Sequence, residues 1–239
     1  MHFNRSKITN YIISERSQFK ALLLLLIIAL FFAVILILLD PFIFQRFLGN
    51  LNPGITVPGI IAIGFLLLSL LLYKGWFIIY KRDNLSRLLK ISLTLVLFTT
   101  ISILIDLKVG YSEDINIRFP KSLLFYPLIG LIVEIIFHLI PITLVMLLAR
   151  MFREKENQGK AILLGFILIA IIEPTYQVYF MESFPFWAVL AIWINLFVFN
   201  IFQLQLLRKY DFISMYLFRL IYYALWHVLW GYLRLDLIF

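Results

Sequence analysis

The chain has 239 residues, 63% of them hydrophobic and 14% charged, with no cysteine and a formal net charge of +8. Ordinary soluble domains are about 45–50% apolar and about 25% charged, and a globule of this size cannot hide so much apolar surface in one core. A soluble enzyme, a secreted disulfide scaffold and a disordered regulator are excluded, and so is any thiol chemistry.

The mean hydropathy is +1.00, and a membrane-crossing helix needs about 20 mostly apolar residues. Seven stretches qualify, which predicts an all-α polytopic bundle. They are Ala21 to Leu39, about Val57 to Tyr73, Ile91 to Ile105, Ser122 to Ala149, Ala161 to Met181, Phe184 to Leu207 and Ser214 to Leu233. The third is short unless it extends through Leu88 and Leu107. The first is too long for a signal-peptide core and ends at Asp40-Pro41 without a small-residue cleavage site, so it is expected to remain as an anchor. Ahead of it, Ile8, Tyr11, Ile12, Glu15 and Phe19 keep helical spacing among basic residues, as an interfacial helix or a solvated tail would.

The basic residues alternate in density from loop to loop. Arg5, Lys7, Arg16 and Lys20, then Lys74, Lys81, Arg82, Arg87 and Lys90, then Arg150, Arg153, Lys155 and Lys160, then Arg208, Lys209 and Arg219 fall on one side, sixteen in all. Arg46, Lys108, Arg118, Lys121 and Arg234 fall on the other. Cytoplasmic loops carry the excess of Lys and Arg, so the N-terminus is expected in the cytoplasm and the C-terminus outside, in the plasma (inner) membrane. The +8 then reports topology, and nucleic acid is not an expected partner. The expected organisation is a cytoplasmic segment over 1–20, three spans over 21–107 and a four-helix core over 122–235.

Ionisable groups inside a span cost roughly 2.5–3.5 kcal/mol each at mid-helix, and they usually face the bundle interior with a task. Glu134 and His138 lie four apart in the fourth span, on one helical face with Pro127, Gly130 and Pro141 on or beside it. Glu173 stands next to Pro174 in the fifth span, with Tyr176 and Gln177 one turn on; His227 lies in the seventh, flanked on its face by Tyr223 and Gly231. Counting from the span ends puts Glu173 about 12 Å, His227 about 8 Å, Glu134 about 10 Å and His138 about 16 Å below the outer boundary. The expectation is that the four converge.

Two carboxylates and two imidazoles can activate water, since a glutamate in a dry site can serve as general base near neutrality while a histidine holds the water or the oxyanion. They also suit zinc or iron as ligand types, although the spacing lacks the second histidine of His-Glu-x-x-His. Alternatively they hydrogen-bond between helices and specify packing.

An acid motif on the fourth span, a polar residue on the fifth and a histidine on the seventh resemble the CAAX protease and bacteriocin-processing family of glutamic-type intramembrane proteases. That family's motifs are Glu-Glu-x-x-x-Arg, Phe-x-x-x-His and His-x-x-x-Asn or Asp. Here the first reads Val133-Glu134-Ile135-Ile136-Phe137-His138: with Glu134 as second glutamate the first is Val133 and the arginine position holds His138, and with Glu134 as first glutamate Ile135 replaces the second and the arginine has no counterpart. Glu173 stands in the second motif and Gly231 where the third expects Asn or Asp. Gly165-Phe166, Glu173-Pro174-Thr175-Tyr176, Trp226 and Gly231-Tyr232 are similar to the PrsW-type branch, though a strict overlay puts Tyr223 at its histidine.

The resemblance implies a membrane-embedded peptidase with no cofactor, acting on a membrane-associated peptide or protein among lipids. Glu134 would be general base and His227 would position water or the oxyanion. Glu173 and His138 would complete the site, with Tyr176, Tyr223 and Asn195 touching substrate. The altered motif positions imply an alternative, an inactive or repurposed member acting as scaffold, partner-binding or solute-binding protein, and the ligand types of the four side chains leave a metal-dependent hydrolase as another.

Overall fold

The computed structural model describes residues 11–179, 181 and 184–239. Seven helices are long and apolar enough to cross a membrane: α1 (Arg16–Leu39), α2 (Pro53–Tyr73), α3 (Asn84–Val109), α4 (Ser122–Ala149), α5 (Lys155–Tyr179), α6 (Phe186–Lys209) and α7 (Phe212–Ile238). No β-strand occurs among the described residues. The chain is an integral membrane protein, because in lipid every backbone polar group must be satisfied internally and helices achieve this within one segment. Of the N-terminal stretch read as an interfacial helix or a solvated tail, Ile8 lies outside the described residues, while residues 11–14 are helical and a turn at Glu15 leads into α1.

The third span is the one that departs from the sequence reading. It starts at Asn84, and a turn at Ser92-Leu93 separates the helix Asn84–Ile91 from Thr94–Val109. The first piece carries charge on one side and buries Leu88 on the other. That is the pattern of a helix lying at a boundary, and a search for uniformly apolar runs passes over it.

Helices α4 and α7 occupy the middle. α4 packs against α1, α2, α5 and α7, and α7 also contacts α3 and α6. Each contains a π-helical turn, Glu134–Leu139 in α4 and Ala224–Trp230 in α7. In α4 the amide of Ile140 donates to Ile135 O, five residues back, immediately before Pro141. Proline has no amide to continue the ladder, so widening the preceding turn costs little there. Single π turns inside α-helices recur at functional sites, and these two carry His138 and His227.

Loop backbone at each end of the bundle is satisfied by side chains from distant elements. At one end the Gln18 amide pairs with the backbone of Ile79 and Tyr80. Beside it, Asp211 accepts from the amides of Lys81 and Ser214 and from Asn84 Nδ2. At the other end Asp106 and Arg234, both fully buried, form an ion pair at 2.8 Å. Asp106 also takes Trp230 Nε1 and the amide of Tyr111, while Arg234 donates to the carbonyls of Tyr111 and Ser112. Burial raises the Tyr111 phenol well above its ordinary range, with the Asp106 carboxylate adding to the effect. This second knot fixes the segment that leads from α3 toward α4.

Candidate functional site

The central feature of the interior is Arg219, 1% exposed, on α7. A guanidinium has five N–H donors, and here five bonds leave it. Nε donates to Glu134 Oε1 (2.6 Å), Nη1 to Glu173 Oε1 (2.7 Å) and Tyr223 Oη (3.3 Å), and Nη2 to Glu173 Oε2 (2.7 Å) and Gln203 Oε1 (2.7 Å). The pairing with Glu173 is bidentate, the strongest geometry available to Arg and a carboxylate. Gln203 on α6 returns its amide to Glu134, and Gln177 donates to Glu173 at 3.0 Å. One cation thus joins α4, α5, α6 and α7.

Glu134 and His138 belong to this cluster. His138 Nδ1 lies 2.9 Å from Glu134 Oε2, both side chains are fully buried, and His138 Nε2 has no hydrogen-bond partner among the described residues. Glu173 is also here. The sequence reading missed the two groups that hold the acids together. It counted Arg219 with the basic residues of one side and saw it near the inner end of the seventh span without giving it a part in the site, whereas the structure buries it at the centre, and it passed over Gln203. An arginine and a glutamine eight and eighteen residues into apolar helices were the available signal.

His227 is separate. Its Nδ1 lies 2.7 Å from Asn116 Oδ1, and its ring stacks on Tyr126 with centroids 4.5 Å apart and planes at 15°. The Tyr223 ring meets it edge-on at 4.9 Å. Tyr126 Oη donates to Asn116 Oδ1 (3.2 Å) and accepts the amide of Ile117 (2.9 Å). The expected convergence of four residues is therefore corrected to a cluster of three around Arg219 and a histidine beyond Tyr223.

A cavity of about 220 Å³ opens between α4, α5 and α7. Its polar walls include Glu173, Tyr176, Gln177, Tyr223 and His227, and Arg46 also lines it. Ile43, Phe47, Ile115, Ile117, Phe125, Ile129, Val133 and Phe137 supply apolar surface. Arg46 is ion-paired with Asp114. Glu134 and His138 do not line this cavity. Asn195, expected beside the substrate, lies elsewhere: its Nδ2 bonds Phe98 O and Ser102 Oγ between α3 and α6, and it lines a separate, mostly apolar groove. Tyr176 and Tyr223 do face the cavity.

The chain matches no protein family, no curated protein and no solved structure.

The metal-ligand alternative meets a chemical obstacle in that site. Among the described residues no group of three or more His, Asp or Glu side chains is arranged to hold a metal ion. The guanidinium that occupies both carboxylates would also repel a cation. Arg219 pairs with Glu134 from α7, and the Asn116 side chain lies against Gly231.

Proposed function

We propose that the protein is an intramembrane hydrolase of the Glu/His type, a peptidase acting on a membrane-associated chain that enters the cavity between α4, α5 and α7. The observation that carries this reading is the shared cavity wall. A partly exposed imidazole and a tyrosine backed by a cation face one apolar space within the bundle.

The roles follow from the hydrogen bonds. Glu134 is sealed behind Arg219, so the base is His227. Histidine is the side chain best matched to proton transfer near neutrality. It takes a proton from water, the hydroxide oxygen attacks the substrate carbonyl carbon, the C–N bond breaks, and the same proton leaves on the amine. Tyr223 Oη accepts from Arg219, which leaves its own proton to be donated to the carbonyl oxygen as negative charge develops there, in the manner of an oxyanion hole. Glu173 and Glu134 hold the guanidinium in place. The apolar walls suit a hydrophobic segment. The charge distribution supports a cavity mouth on the extracytoplasmic side, where a lipid-borne or translocated chain would approach.

A second reading, partner or solute binding without turnover, is favoured by the saturation of Arg219 and the closure of Glu134 and His138 from the cavity. One experiment separates the two. Purified protein in liposomes is offered a panel of single-span peptides, and products are identified by mass spectrometry. Hydrolysis that is lost in His227→Ala, and reduced by about a hundredfold or more as removal of a general base requires, supports the peptidase. Peptides that bind but are never cut by the wild type support the binding protein.

A further inference from the structure

Resting on His227 as base, we infer that Asn116 is a positioning residue that locks the His227 imidazole in the tautomer with the proton on Nδ1, leaving Nε2 as the bare acceptor. Neutral imidazole carries one proton, and which nitrogen holds it is set by the bond the other makes. The direction of that bond can be traced from the backbone. The amide of Ile117 can only donate, so Tyr126 Oη accepts it and turns its own proton onto Asn116 Oδ1. That oxygen has a second lone pair and lies 2.7 Å from His227 Nδ1. An amide oxygen accepts only, so the proton is on Nδ1.

Two independent features hold Asn116 where this requires. Asn116 is 7% exposed and sits just beyond the segment pinned by Asp106 and Arg234 through Tyr111 and Ser112. On α7, one turn past His227, Gly231 leaves the space that the amide fills. A Cβ at position 231 would lie 2.9 Å from Asn116 Nδ2 and 3.0 Å from Asn116 Cβ. Real Cβ atoms do not tolerate such contacts, so any side chain there displaces the amide. The glycine is thus part of the device: the loop supplies the amide that α7 itself lacks.

The test does not need a substrate. The chain has three histidines, so histidine labelled with ¹⁵N in the ring gives three ring signals in untagged protein in lipid bilayers, and His227→Gln identifies the relevant one. At a pH where the ring is neutral, the wild type is expected to show protonated Nδ1 and bare Nε2. Asn116→Ala and Gly231→Ala are expected to move the signal toward the Nε2-protonated form, and Asn116→Asp, which keeps an acceptor at the same place, to retain the wild-type tautomer. The third variant distinguishes lost positioning from lost folding. A wild-type ring protonated on Nε2, or a tautomer unmoved in both Asn116→Ala and Gly231→Ala, overturns the proposal. If the tautomer behaves as expected and no peptide is hydrolysed, the peptidase reading falls and the lock stands. If peptides are hydrolysed and the tautomer ignores Asn116, the lock falls and the peptidase reading stands.

Discussion

Arg219 is the residue on which the interior depends. Removing one partner of a buried ion pair strands the other charge in a medium that cannot solvate it, at a cost of about 3–5 kcal/mol. Arg219 has two such partners, Glu134 and Glu173. Arg219→Met is therefore expected to lower the thermal midpoint of the detergent-solubilised protein sharply, and adding Glu134→Gln and Glu173→Gln to the same chain should recover much of the loss. An unchanged midpoint in the single variant would mean the cluster is not the tie between helices described here. The acids of this cluster were legible in the sequence because an isolated Glu in an apolar run stands out. The arginine was not, because it lies near a span end and its partners are 46 and 85 positions away; no periodicity within one helix encodes such pairings. Asn116 was less legible still, being a polar residue in a loop.

At the scale of elements, lipid offers no hydrophobic drive for helices to associate, so close packing and interhelical hydrogen bonds must do it. The face of α2 shows how this positions the π turn of α4. Gly64 admits the Ile135 side chain so closely that a Cβ at position 64 would stand 2.5 Å from Ile135 Cδ1 and 2.8 Å from Cγ1. Gly64→Ala is expected to destabilise by about 1–3 kcal/mol through overpacking. Combining it with Ile135→Ala should show a favourable coupling in a double-mutant cycle, as residues in contact do; strict additivity would contradict the contact. Six of the seven helices could be read from apolar runs alone, with ends shifting by a few residues. The third could not be read whole, since its first two turns are amphipathic and its chain turns at Ser92-Leu93. The π turns were hidden because they depend on how α4 and α7 are packed, although Pro141 marked one site where the ladder had to change.

For the whole molecule, the burial of Arg219 and Arg234 takes one basic residue from each side of the charge distribution, leaving fifteen against four on the surface-facing segments and in the N-terminal tail. The predicted orientation does not depend on either. Because the chain has no cysteine, single cysteines report topology without background. A membrane-impermeant maleimide should label Arg118→Cys in intact cells and Asn157→Cys only after lysis, and the reverse pattern would invert the assignment and move the cavity mouth to the cytoplasmic face. The fold thus has two polar centres that sequence order alone had merged, a charge knot at Arg219 and an open wall at Tyr223 and His227; Glu173 of the first also reaches the cavity, while Glu134 and His138 do not. The most direct measurement compares the two histidines in the liposome cleavage assay, at equal amounts of folded protein. The account predicts that His227→Gln abolishes peptide hydrolysis while His138→Gln keeps it close to wild type. Loss in His138→Gln with hydrolysis retained in His227→Gln would contradict it.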